Sequence, residues 1–125
     1  MSFLSFKYLD SNTITLVAGR NSKKTYSQYL RGADGVPYNE MPFIVPFNCF
    51  LKTITASSKI SDVWTVKIRS SGVDIIGANL TVNNTNYNIQ NYSIQLSQGQ
   101  PLEIYLETIN GIEYPTVNLV LQKNI

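Results

Sequence analysis

The amino-acid sequence predicts an all-β protein, an antiparallel β-sandwich of jelly-roll type that carries an N-terminal hairpin and arm. Three observations predict it. Apolar residues alternate with polar ones in short runs, above all at residues 63–70, 102–107 and 116–122, the period of a half-buried strand. Turn signals rich in Gly, Pro and Asn separate these runs at short, even spacing, and no amphipathic helical pattern lies between them. Asn, Gln, Ser and Thr make up 41 of 125 residues while charged residues make up 14%, below the roughly 25% of ordinary soluble domains. Uncharged polar groups therefore cover the surface.

The elements follow in order. Residues 3–9 and 12–18 alternate around Asp10-Ser11 and suggest a hairpin of two short strands. Residues 19–42 hold three of the seven glycines, two of the five prolines and Lys23-Lys24. They have little periodicity, and long connections of that kind are usually functional or ordered by a partner; residues 24–31 fit either a strand or one helical turn. Pro46 marks an edge or bulge, because proline cannot donate to a ladder. Leu51 and Ile54 share a face only if a bulge falls near Lys52-Thr53. Trp64, Val66 and Ile68 then lie on one face and Thr65, Lys67 and Arg69 on the other.

Ser71-Gly72 and residues 83–86 read as turns on either side of a strand over residues 74–82, with another strand at residues 87–96. Residues 97–101 turn sharply into a strand with Leu102, Ile104 and Leu106 inward. Asn110-Gly111 is a hairpin signal, and Val117, Leu119 and Leu121 share a face in the last strand. About six or seven strands in this arrangement fit a sandwich or jelly roll. Two parts result: residues 1–42, a hairpin and basic attachment arm, and residues 43–125, the sandwich. Length supports a single core.

The charge is unevenly spread. Lys7, Arg20, Lys23, Lys24 and Arg31 against Asp10 give residues 1–31 a net charge of +4, whereas residues 32–125 carry −2. Arg20, Lys23, Lys24 and Arg31, interleaved with Tyr26 and Tyr29, form the candidate partner-docking set. Arg and Tyr are favoured anchors on protein surfaces. Stacking and phosphate contacts by the same residues would also hold nucleic acid, a weaker fit at a total net charge of +2.

The chain contains no histidine, so the commonest general base and metal ligand are missing. The sequence predicts no enzyme, no catalytic residues, no metal site and no cofactor. Glu103 and Glu107 read as a solvated strand face; four residues apart, they are separated by about 13 Å, beyond the roughly 5 to 9.5 Å of a glycosidase pair. Cys49 and Trp64 read as packing residues, and the tyrosines at 87, 92, 105 and 114 as surface candidates for a glycan or a subunit. No secretory leader or membrane span is predicted.

The order of Val45-Pro46-Phe47-Asn48, Ser61-Asp62-Val63-Trp64-Thr65-Val66-Lys67-Ile68, Gly99-Gln100-Pro101-Leu102-Glu103-Ile104-Tyr105 and Tyr114-Pro115 with the strand to Gln122 resembles small jelly-roll structural proteins of tailed bacteriophages. The resemblance spans about residues 31 to 123 and leaves the basic segment before residue 31 without a counterpart. It implies a virion component assembled in the host cytoplasm: an auxiliary (decoration) capsid protein or head-fibre component, with a tail-fibre or carbohydrate-binding module for host attachment as the alternative. The implied partners are the major capsid protein or other virion proteins and further copies of the chain. A trimer is favoured, since three-fold packing would cover a remaining apolar face. A surface glycan is a further partner class.

Overall fold

The computed structural model describes residues 12–32 and 35–124. The proposed first strand of the hairpin, at residues 3–9, and the charges of Lys7, Asp10 and Asp34 lie outside these residues. The protein is all-β and antiparallel, with seven strands: β1 (Thr13–Gly19), β2 (Gln28–Tyr29), β3 (Phe43–Ile44), β4 (Cys49–Ser70), β5 (Val73–Leu96), β6 (Pro101–Thr108) and β7 (Thr116–Lys123). There is no helix among the described residues.

Two strands, of 22 and 24 residues, organise the molecule. They form one long hairpin turned at Ser71-Gly72, where φ values of 52° and 79° give the doubly left-handed two-residue turn that matches strand twist. Opposite β5, the first half of β4 pairs with β7 from Cys49↔Lys123 to Ser57↔Thr116, and its second half with β6 from Trp64↔Thr108 to Arg69↔Glu103. β6 and β7 therefore lie end to end along the same side of β4. β1 extends the sheet beyond β7, while β2 and β3 pair with β6.

The long hairpin bends in its middle. Between the pairs Ser57↔Tyr87 and Asp62↔Thr85, residues 58–61 oppose a single residue of β5, and such an excess on one strand forces the sheet to curl. The expected turn at residues 83–86 is instead a continuation of β5. Asn84 takes a φ of 58°, which absorbs one extra residue between Asp62↔Thr85 and Val63↔Asn83 without reversing the chain. Asn110-Gly111 likewise reverses nothing, because β6 and β7 run in the same direction along β4. The bulge expected near Lys52-Thr53 is present, between Leu51 and Thr53.

The curled sheet closes on one core, consistent with a β-sandwich or jelly roll. Ile54 and Ala56 of β4 with Val117, Leu119 and Leu121 of β7 line one leaf; Trp64, Val66 and Ile68 with Leu102, Ile104 and Leu106 line the other, and all are buried. Leu16, Ala18, Leu30 and Tyr38 belong to the same cluster. The segment expected as an arm is thus fastened along the sandwich. Leu30 N–H donates to the Ile104 carbonyl at 2.9 Å, and Thr25 and Ile112 exchange two backbone bonds of 2.8 Å. Residues 24–31 are extended, not helical.

Candidate functional site: a cationic concavity beside β1 and β7

At the end of β1 the chain passes close under the start of β7. A Cβ on Gly19 would lie 2.8 Å from the Pro115 carbonyl oxygen, so only glycine lets the two backbones approach this closely. Gly19 and Arg31 then exchange backbone bonds of 2.9 and 3.0 Å, and Arg20 N–H donates to the Pro115 carbonyl at 3.1 Å. These crossings shape a concavity of about 710 Å³ whose lining includes Arg20, Ser22, Arg31, Gly32, Tyr114 and Thr116. Tyr114 holds a φ of 51°, a region that costs a non-glycine residue about 1–3 kcal/mol. Its N–H donates to the Ser22 carbonyl at 2.9 Å.

Two arginines are the charged residues among the described lining of the concavity. Arg20 is anchored by Nε and Nη2, which donate to the Tyr29 carbonyl at 3.1 and 2.6 Å. Burial, and then the charge of Arg31, push the Arg20 guanidinium below its ordinary value. Four ion pairs occur among the described residues: Lys59–Glu113, Lys67–Asp74, Lys67–Glu107 and Arg69–Asp74. None involves Arg20, Lys23, Lys24 or Arg31. The described carboxylates in these pairs, Asp74, Glu107 and Glu113, all lie on or between β5, β6 and β7, while Arg20, Lys23, Lys24 and Arg31, like Lys52 and Lys123, pair with no described carboxylate. Such a set of cations favours anionic groups.

The six sequence-predicted residues divide into three places. Arg20 and Arg31 meet in the concavity. Lys24 and Tyr26 lie over Gly111, with Lys24 Cγ 2.8 Å and Tyr26 Cε1 3.3 Å from the position a Cβ would occupy there, while Lys23 is exposed on the same loop. Tyr29 faces the sheet. Its hydroxyl accepts from Arg69 Nη1 at 3.1 Å, and its ring meets Tyr105 edge-on at 5.0 Å. Sequence reasoning missed this Arg69 cluster, in which the guanidinium also sits 4.0 Å from the Tyr105 ring centroid and its Nε donates to Asp74 at 2.7 Å. The alternation of Lys67, Arg69 and Tyr105 was visible, but the register that joins them was not.

Glu103 departs from its expected solvated face. It is 7% exposed, because its pairing with Arg69 places it under the β4–β5 turn, where Gly72 N–H donates to Oε1 at 2.8 Å. Glu107 is exposed and pairs with Lys67 at 3.0 Å. Burial raises the Cys49 thiol above its usual value. Among the described residues no group of three or more Cys, Asp or Glu side chains is placed to hold a metal ion.

No family model matches the sequence, and no curated protein matches it. Among solved structures, the chain is similar to Tobacco streak virus coat protein. One structure of that protein aligns over 92% of this chain and 89% of that one, with 11% identity and a TM-score of 0.41. A structure of its dimer aligns over 94% and 90%, with 8% identity and a TM-score of 0.44. With these identities and scores the likeness carries no functional argument. The fold rests on the strand pairings themselves.

Proposed function

We propose that the chain is a non-enzymatic virion structural protein, an auxiliary capsid or head-fibre component that docks by its cationic end and displays the sandwich outward. The observation that carries this reading is the unpaired positive charge of the N-terminal segment: Arg20 and Arg31 line the concavity and Lys23 and Lys24 stand on the β1–β2 loop, none of them paired to a described carboxylate. A partner surface bearing carboxylates, such as that of a major capsid protein, matches it. The resemblance of residues 31–123 to small phage jelly-roll proteins points to the same class. Among the described residues the two exposed tyrosines stand apart, Tyr26 on the β1–β2 loop and Tyr87 at the bend of β5, which favours protein docking over a glycan platform.

Deleting the basic segment is a poor test, because Leu16, Ala18 and Leu30 are core residues. Charge reversal of the exposed cations leaves the core intact. The triple variant Lys23→Glu, Lys24→Glu, Arg31→Glu is expected to fold with an unchanged circular dichroism spectrum and to lose at least tenfold in incorporation into particles. Full incorporation of the folded variant would refute attachment through this end.

A further inference from the structure

Among the described residues β5 has one hydrogen-bonded neighbour, β4, along its 24 residues, so its other side is a sheet edge there. Sheet edges are ordinarily blunted by charges, proline or short length, because a bare edge templates pairing with another chain. β5 uses none of these over most of its length. Residues 75–102 contain no charged side chain, and residues 75–100 contain no proline. At the chain's 14% charged content, a stretch of 28 residues would carry about four charges.

The two halves of the edge differ. In the first half, Asn88 Nδ2 donates to the Thr81 carbonyl at 2.9 Å and the Tyr92 hydroxyl to the Asn79 carbonyl at 2.6 Å, so side chains occupy backbone acceptors. In the second half, Thr85 Oγ1 donates to the Tyr87 carbonyl and Ile89 N–H to Asn88 Oδ1, both at 2.8 Å, but no side chain among the described residues bonds to the backbone of residues 90–96. Beside it stand Tyr87, 65% exposed, and Ile89, 55% exposed.

We infer that the second half of β5, residues 87–96, is a self-pairing edge that joins two copies of this chain in antiparallel register. The composition selects a second copy over a different partner. Pairing across a two-fold axis sets the strand against itself, and like charges directly opposite one another are destabilising; a strand free of charge meets itself without that repulsion. Each polar side chain from Tyr87 to Gln95 is an amide or hydroxyl, both donor and acceptor, so identical residues can bond one another. Ten residues give an edge of about 34 Å. The resulting assembly is a two-fold dimer with one sheet continuous through both copies, in place of the trimer expected from the sequence.

Sedimentation equilibrium on the full chain across a concentration series tests this, together with hydrogen exchange of the amides of residues 90–96. The expected result is a species of twice 14.0 kDa, with those amides exchanging at least tenfold more slowly at high concentration than at low. The folded double variant Ile89→Lys, Ser93→Lys is expected to associate at least tenfold more weakly. A wild-type chain that stays monomeric, or that forms a trimer while residues 90–96 exchange at the same rate at every concentration, overturns the inference. So does undiminished dimerisation of the double variant. If the double variant does not fold, the exchange measurement on the wild type decides alone.

Discussion

Buried polar atoms set the sharpest expectations at the level of single residues. Thr25 is 1% exposed, and its Oγ1 has no hydrogen-bond partner among the described residues. An unpaired buried hydroxyl costs about 1–3 kcal/mol, so the isosteric Thr25→Val is expected to be neutral or to stabilise by about 1 kcal/mol, read as a higher urea midpoint at constant slope. Gly19→Ala has the opposite sign: its Cβ would meet the Pro115 carbonyl oxygen at 2.8 Å, and overpacking of this kind costs about 1–3 kcal/mol. Tyr92 governs alkaline behaviour. Burial raises its phenol above the usual value of about 10, so its contribution to stability is full below about pH 10 and is lost as pH rises through the folded value. A denaturation series through that range should show the loss, and Tyr92→Phe should flatten it.

Arg69 ties β4 to three other elements, β2, β6 and β5, through Tyr29, Tyr105 and Asp74. Arg69→Ala is expected to cost about 1–2 kcal/mol and to speed hydrogen exchange at residues 28–30. Arg69→Lys should restore little, since an ammonium lacks the planar fork that reaches a hydroxyl and a carboxylate together. The strand faces were legible in the sequence: Trp64, Val66 and Ile68, then Leu102, Ile104 and Leu106, then Val117, Leu119 and Leu121 are all inward, and the bulge beside Lys52 was readable from Leu51 and Ile54. Strand ends were not. Residues 83–86 carry turn composition, yet the pairing of Asn83 with Val63 and of Thr85 with Asp62 keeps β5 running through them, and tertiary pairing overrides local preference there. The same blindness to register hid the burial of Glu103 and the turn of Tyr29 toward Arg69. The meeting of Arg20 and Arg31 follows from the crossing at Gly19, which no spacing rule reveals.

Across the whole molecule, the cationic concavity lies beside β1 and β7 while β5 forms the free edge on the opposite side of β4. The proposed attachment and self-association therefore involve separate surfaces and should fail separately. Attachment through exposed cations should weaken with salt, because charges more than a Debye length of about 10 Å apart are screened at 0.1 M; pairing of an uncharged edge should not. Measuring particle binding and dimer mass in the same salt series separates the two. Quantitative mass spectrometry of gradient-purified particles decides whether the chain is, as proposed, a structural part of a virion. The chain should be present at a fixed copy number relative to the major capsid protein, and its absence from purified particles would refute that role.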